Sequence, residues 1–512
     1  MKRMLLLAWV FMCTMPVWAT GVMVVNANQG TYFRLINSSV NVDVNNQVAM
    51  ITSSQLFVNT LDNAFVGKYA FPMPANATAL QLRWKIQGGV WQYASFSAND
   101  QDSTLPGQPG APAHPDLKAY LGETPLYFSI LDTIAVNDTI EVELQYVQLL
   151  SYRFNIVTFE YPSDYSLIQY DQINLEQSLS FNLFSERTIE SLYMVSDYAD
   201  VSNNGHVATL EFSRWEGNSV DDYHVEYILA SDELGIISFS TFLPDSLVTC
   251  DELGNGYLGL IIEPESNENT EVIEKVFTLV IDRSGSMGWE AKMEKAKQAC
   301  NFIVENLNEG DYFNIISFSG DVTSFQSDHV PYTAYYESLA LEYINNIQAV
   351  GGTNINDALL TAIGQFGFAD PNKANIIIFF TDGEASVGVT NTNSILNNVQ
   401  TAVNNAETNI FLYSFGLGTD ANEQLLTLLA MQNQGLSVFV TNEDIQTVIS
   451  EFYLTIRNPV LLNTEVTFIP DIISEYYPSP MPYLYKGMQL IITGRYDLPQ
   501  DVRMVLSGKA FN

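Results

Sequence analysis

Between residues 21 and 155 apolar and polar positions alternate in short runs, as in Val40-Asn41-Val42-Asp43-Val44 and Thr139-Ile140-Glu141-Val142-Glu143-Leu144, with turn residues between them. A period of two puts one set of side chains on one face of a strand, so this region is predicted to be an antiparallel β domain. Strand-like runs continue over 156–272, among them Leu179–Phe184 and Val207–Phe212, until a polar stretch at 264–273 closes the series. From 275 to 457 the pattern changes. Val276-Phe277-Thr278-Leu279-Val280-Ile281 is apolar but for one threonine, which fits a strand buried on both faces. Met293–Leu307 then repeats apolar residues at helical spacing, Gly310–Phe318 and Asn409–Gly416 read as further strands, and Ile376–Phe380 is wholly apolar. Strand and helix in alternation, with short connections, predict an α/β doubly wound parallel sheet, Rossmann-like, with helices on both faces. β-like runs return over 458–512, at Glu465–Pro470 and Met488–Arg495. They are expected to pair with the strands of 156–272 in a β-sandwich into which the α/β domain is inserted. The predicted fold class is therefore multidomain, antiparallel β plus doubly wound α/β.

The candidate chemistry lies just past the first strand of the α/β domain. Asp282, Ser284 and Ser286 stand at alternate positions, so in an extended segment one carboxylate and two hydroxyls converge, and Gly285 lets the backbone turn tightly. Oxygen donors of this kind suit a hard cation such as magnesium. Two later pieces are Gly351-Gly352-Thr353-Asn354, ahead of a helical pattern, and Thr381-Asp382-Gly383, which closes the run Ile376–Phe380. All three fall where parallel strands end and helices begin, the crevice in which open α/β sheets take ligands.

Asp282-x-Ser284-x-Ser286, followed by a threonine in the second loop and an aspartate in the third, resembles the metal-ion-dependent adhesion site of von Willebrand factor A domains. The resemblance implies a metal site made by Asp282, Ser284, Ser286, Thr353 and Asp382, the three hydroxyls ligating directly and the two carboxylates directly or through water. The implied ion is Mg2+, with Ca2+ or Mn2+ as alternatives, and an octahedral shell keeps at least one position for water or a partner's oxygen. The competing account makes Ser286 and Thr353 helix caps and the two aspartates ordinary loop residues. Gly288, Trp289 and Glu384 follow the metal loops and are expected at the rim, where an exposed tryptophan would anchor a partner. Arg283 points away from the ligands and is expected in an ion pair. Upstream, Tyr69-Ala70-Phe71-Pro72-Met73-Pro74 followed by Ala75-Asn76-Ala77-Thr78, with Leu144-Gln145-Tyr146-Val147-Gln148 as closing strand, is similar to a VIT domain. That β domain precedes the A domain in inter-alpha-trypsin inhibitor heavy chains and in many exported bacterial proteins. VIT domains commonly carry a charged helical stretch at their centre, whereas residues 97–115 here read as a Pro/Gly loop. The expected layout is 21–155 VIT-like, 156–272 sandwich strands, 275–457 A domain and 458–512 returning strands.

Composition narrows the partners. The 512 residues suit several domains, and an apolar fraction of 47% is enough for real cores. The formal charge is −37 although only 15% of residues are charged, because 21 basic residues face 58 acidic ones. Such a surface disfavours nucleic acid and anionic membranes. Lys2 and Arg3, the apolar stretch Met4–Met15 and the small residues of Val17-Trp18-Ala19 read as a signal peptide over 1–19, cleaved after Ala19. No later stretch is long and apolar enough to span a membrane. The expected location is secreted or cell-surface, in the bacterial periplasm, on the outer surface or outside the cell. Cys250 and Cys300 make no disulfide scaffold, and Cys300 reads as a buried thiol, with a single bridge left open. His114, His206, His224 and His329 show no ligand spacing. The functional expectation is a non-enzymatic protein that binds a protein or extracellular-matrix ligand presenting a carboxylate. No nucleophile elbow, histidine-based triad or zinc motif is present. Carboxylate-only hydrolases leave no local signature. A carboxylate-based hydrolase, and a structural envelope or matrix protein whose metal only stabilises the A domain, are the alternatives.

Overall fold

A computed structural model describes residues 20–510 apart from 75, 95–104, 109, 123–124, 170–174, 217–220, 245–253, 266–272, 369–372, 407, 441–444 and 480. The expected signal peptide, Cys250 and most of the polar boundary at 264–273 lie outside the described residues. The chain divides into two compact units that meet at Glu233 and Leu234.

The first unit is almost entirely β. Its largest sheet has eight strands, in the order Asp200–Asn203, Val207–Glu216, Leu175–Phe184, Arg34–Asn45, Val48–Val58, Thr139–Leu149, Ala77–Ile86 and Gln92–Tyr93. Neighbours are antiparallel except Leu175–Phe184, which runs parallel to Arg34–Asn45. The alternation seen in the sequence sets the faces: Val40, Val42 and Val44 are buried, while the polar residues between them face outward. Two four-stranded sheets share the same core. Tyr69 and Phe71, from the run likened to a VIT domain, are fully buried on the strand Phe65–Pro72, and Phe71 packs 5.7 Å from the Tyr146 ring. A short helix, Pro115–Leu121, follows the Pro/Gly loop, with a proline at its start and Leu117, Tyr120 and Leu121 buried. Proline suits the first turn of a helix because the lost N–H has no partner there.

The second unit contains the α/β domain. Its sheet runs Val322–Ser324, Tyr312–Phe318, Lys275–Asp282, Ala374–Thr381, Ile410–Leu417, Ser437–Val440, and the last five are parallel. Every residue of Lys275–Asp282, Ala374–Thr381 and Ile410–Leu417 is buried, as two-sided cover requires. Alternate residues feed two cores. Phe277, Leu279 and Ile281 pack with the helices Lys292–Glu305, Ala334–Asn345 and Ile445–Ile456. Val276 and Val280 pack with Ile355–Gly364, Thr392–Asn405 and Glu423–Gln432 on the other face. The doubly wound fold predicted from strand–helix alternation is therefore present. Cys300 is a buried free thiol on the first of these helices. No helix among the described residues is long and apolar enough to cross a membrane.

The expected sandwich over 156–272 is corrected. Its strands divide between the two units. Ile156–Tyr161, Leu175–Phe184, Val207–Glu216 and Tyr223–Leu229 pair within the first unit, whereas Gly235–Phe242 and Gly256–Glu263 form a sheet with Leu490–Tyr496 and Ile473–Tyr477. Among the described residues of 156–272, only Gly235–Phe242 and Gly256–Glu263 share a sheet with the returning chain, the latter pairing directly with Leu490–Tyr496. The reason is physical: alternation marks a strand and its buried face but carries no information about which edge it joins.

Candidate metal site

Parallel pairing aligns the ends of Lys275–Asp282, Tyr312–Phe318 and Ala374–Thr381, so the loops that leave them meet at one edge. The first loop begins at Asp282, which is fully buried. Its Oδ1 accepts the Ser284 N–H at 2.7 Å, and its Oδ2 accepts the Thr381 hydroxyl at 2.6 Å. The Ser284 and Ser286 hydroxyl oxygens stand 3.1 Å apart. A turn of 3-10 helix, Gly285–Gly288, follows and buries Met287 beneath the loop. The second loop is fastened to the first by the backbone: Gly285 donates to the Gly351 carbonyl at 3.0 Å and Val350 to that of Arg283 at 2.7 Å. Gly351 has a φ of +94°, a conformation that favours glycine, just ahead of the loop's threonine. Thr353 is buried; its N–H donates to the Ser386 hydroxyl at 2.9 Å, and its carbonyl accepts from Ser386 and Val387. Asp382, in the third loop, is fully buried next to Thr381.

The structure thus brings Asp282, Ser284 and Ser286 into direct contact, links Asp382 to them through Thr381, and holds Thr353 two residues from the Gly351 carbonyl that Gly285 binds. Of the rim residues, Trp289 is 74% exposed, and Gly288 and Glu384 are exposed too. Arg283 pairs with Asp321 at 2.8 Å, on the outer side of the loop. The N-cap of the 3-10 turn is Ser284, not Ser286, and it makes no side-chain cap bond; Asn354, not Thr353, caps the helix Ile355–Gly364. The capping account of the two hydroxyls therefore has no support in the geometry.

Burial pushes the Asp282 carboxyl up to about 6, against the hydroxyl and N–H donors that favour its ionised form, and the negative charge of Asp382 adds to the rise. Two buried carboxylates beside three hydroxyl-bearing residues form an oxygen-only, electron-rich cluster. That donor set fits a hard divalent cation, whose charge would offset both carboxylates. Among the described residues no group of three or more His, Cys, Asp or Glu side chains converges, so a nitrogen- or sulfur-rich site is not formed there. One lysine also reaches the cluster: Lys292 Nζ lies 3.4 Å from Asp382 Oδ2.

Three contributors escaped the sequence reading. Thr381 was visible beside Asp382, but nothing in its position announced the bond to Asp282. Lys292 opens a helix and would ordinarily face solvent. Asp420 follows the parallel strand Ile410–Leu417, and the rule that ligands gather at the carboxyl ends of such strands points to that loop.

Residues 277–452 match the model of the von Willebrand factor type A domain. The chain is 31% identical to human inter-alpha-trypsin inhibitor heavy chain H2 over 253 residues, 48% of this chain and 26% of that protein. It is 28% identical to bovine inter-alpha-trypsin inhibitor heavy chain H3 over 387 residues, 72% of this chain and 41% of that protein. The chain therefore spans well under half the length of these relatives, while the longer match extends beyond the A domain. Among solved structures, a von Willebrand factor type A protein from Catenulispora acidiphila is 17% identical, with a TM-score of 0.37 over 50% of this chain and 65% of that one. By the match to its family model and by its doubly wound sheet, residues 277–452 are a von Willebrand factor type A domain, carried in a chain similar to inter-alpha-trypsin inhibitor heavy chains.

Proposed function

We propose that this protein is an exported, non-enzymatic interaction protein that grips a carboxylate on a protein or matrix partner through a divalent cation. Asp282, Ser284, Ser286, Thr353 and Asp382 would hold the cation, Mg2+ by preference, and Ca2+ or Mn2+ by the same oxygen chemistry. When bound, the ion would supply a concentrated positive charge with a position open to a partner's oxygen. The protein's own part is to pre-organise that charge. Thr381 and the Ser284 N–H hold the Asp282 carboxylate, and the backbone bonds between the first and second loops fix the hydroxyls. Trp289 and Glu384 stand exposed beside the loops and would meet the partner. The β structures, including the VIT-like region, would serve as a platform.

The observation that carries this reading is the burial of two aspartates among hydroxyls at the carboxyl ends of parallel strands, next to an exposed tryptophan. A protein this acidic repels an acidic partner over a range of only about 8 Å at physiological salt. A direct contact through a cation overcomes that, and moderate salt should strengthen binding to such a partner. The test is calorimetric titration of Mg2+ into the EDTA-stripped protein beside Asp282→Ala, followed by partner capture with and without EDTA. One-site binding lost in the variant, with capture that needs the cation, supports the reading. Absence of heat and of any cation-dependent shift in melting overturns it.

A further inference from the structure

The carboxylate Asp382 is already engaged. Lys292, at the start of the helix Lys292–Glu305, is almost wholly buried, with 1% of its side chain exposed. Its Nζ stands 3.4 Å from Asp382 Oδ2 and also donates to Asp420 Oδ1. The two acceptors differ: Asp382 is fully buried, whereas Asp420 is 58% exposed. Asp420 therefore draws the ammonium towards solvent, and Asp382 draws it into the candidate metal site.

The surroundings are shaped for this lysine. Glu290 and Ala291, immediately before it, both adopt left-handed backbone conformations, with φ of 52° and 56°. Such conformations are costly for residues other than glycine and persist only where the surroundings impose them. They aim Glu290 and Lys292 together at the loop after Ile410–Leu417. There Glu290 accepts from the Thr419 N–H and hydroxyl, both at 3.3 Å. Gly418, with a φ of +93°, leaves room for the lysine stem: a Cβ at that position would lie 2.3 Å from Lys292 Cε. The same loop returns to the site through the Asn422 N–H, which donates to the Asp382 carbonyl at 2.8 Å.

We propose that Lys292 is a positioning residue and built-in rival of the divalent cation for Asp382, and that Asp420 sets how strongly it competes. The proposal rests on the metal-site reading above. The ammonium holds the buried carboxylate in place and offsets its charge, but it also repels a divalent ion brought to the same oxygen. Asp420 weakens that rivalry by taking part of the ammonium's charge. The two residues should therefore act on cation affinity in opposite directions, which a purely structural ion pair would not do.

The experiment is titration of Mg2+, and separately Mn2+, into the EDTA-stripped full chain for wild type, Lys292→Met and Asp420→Asn, each with its melting curve in EDTA. Lys292→Met keeps the apolar stem and removes the charge. It should bind the cation about tenfold more tightly, the scale on which a neighbouring unit charge shifts the occupancy of a carboxylate. Asp420→Asn leaves the ammonium to Asp382 alone and should bind about threefold more weakly, the smaller change reflecting solvent screening of an exposed group. Both affinities moving the same way, or neither moving, overturns the proposal. If Lys292→Met does not fold, Asp420→Asn decides alone: weaker binding with an unchanged melting curve supports the proposal, and unchanged or tighter binding overturns it. Absence of cation binding in the wild type would overturn the metal-site reading itself, an outcome distinct from either.

Discussion

The strand Lys275–Asp282 carries a buried charge at each end, and the two ends are built differently. At its start, Lys275 lies 3.0 Å from Asp311, and neither side chain is exposed. Asp311 also accepts the Lys275 N–H at 3.0 Å and the Asn308 N–H at 2.8 Å, so one cation faces one anion with both oxygens engaged by backbone. Burial lowers the Lys275 pKa and raises that of Asp311, and their mutual attraction opposes both changes. At the other end stand two buried carboxylates, Asp282 and Asp382, and the one ammonium recorded there, that of Lys292, pairs with Asp382 and is itself shared with Asp420. Among the described residues the Asp382 carboxylate makes only long contacts, to Lys292 at 3.4 Å and to the Glu384 N–H at 3.5 Å. The first end is closed and balanced; the second holds surplus negative charge and underused oxygens. A structural ion pair and a candidate ligand site are thus distinguished by charge balance, since burial is the same in both.

Breaking the balanced end should have the largest effect. Lys275→Met leaves Asp311 buried without its counter-ion and should cost about 3–5 kcal/mol, read by urea denaturation of the second unit. Cation affinity of the molecules that remain folded should not change. Midway along the same strand, Thr278 Oγ1 lies 2.7 Å from Nε2 of His329, an imidazole that burial pushes down to about 4. Because folding lowers this pKa, protonation favours the unfolded chain. Its contribution is therefore complete above about pH 6.5 and lost as the pH falls towards 4, about 3 kcal/mol in all. His329→Phe should remove that part of the pH dependence from a melting series between pH 7 and 4, whereas an unchanged series would mean that the ring is not held neutral.

At the unbalanced end, a hundredfold excess of Mg2+ over its dissociation constant should stabilise the A domain by about 2.7 kcal/mol, and EDTA should reverse it. Asp282→Asn should abolish this shift, yet melt no lower than wild type in EDTA, because it removes an ionisable group whose charge burial disfavours. The smallest effect is expected at the surface. Arg283→Ala breaks the pair with Asp321, whose side chain is 73% exposed, and should leave melting unchanged within error. A clear loss there would mean that the pair braces the first loop of the candidate metal site.

Much of the α/β domain was legible because its signals are local. The run Val276–Ile281 marked a two-face buried strand, and the spacing of Asp282, Ser284 and Ser286 placed their side chains together before any fold was known. The β regions were legible as strands but not as partners. Leu179, Phe181 and Leu183 alternate correctly, yet only the assembled sheet shows them pairing with Val40, Val42 and Val44 in the first unit. The helix Pro115–Leu121 was missed because seven residues carry too little periodicity beside a Pro/Gly-rich loop. Lys292 was missed for a different reason. A lysine in a helix is ordinarily solvated, and its burial depends on Gly418, Asp382 and Asp420, between 90 and 128 positions away.

The sequence by itself determined where strands and helices form and which oxygen-bearing side chains share the first loop, because both follow from periods of two and 3.6 residues along the chain. The tertiary structure alone decided that the strands of 156–272 divide between two units, that the His329 ring packs against Thr278, and that a lysine stands at the candidate metal loops. Each of these depends on partners far apart in the chain, whose meeting is set by the packing of whole faces and not by any local pattern.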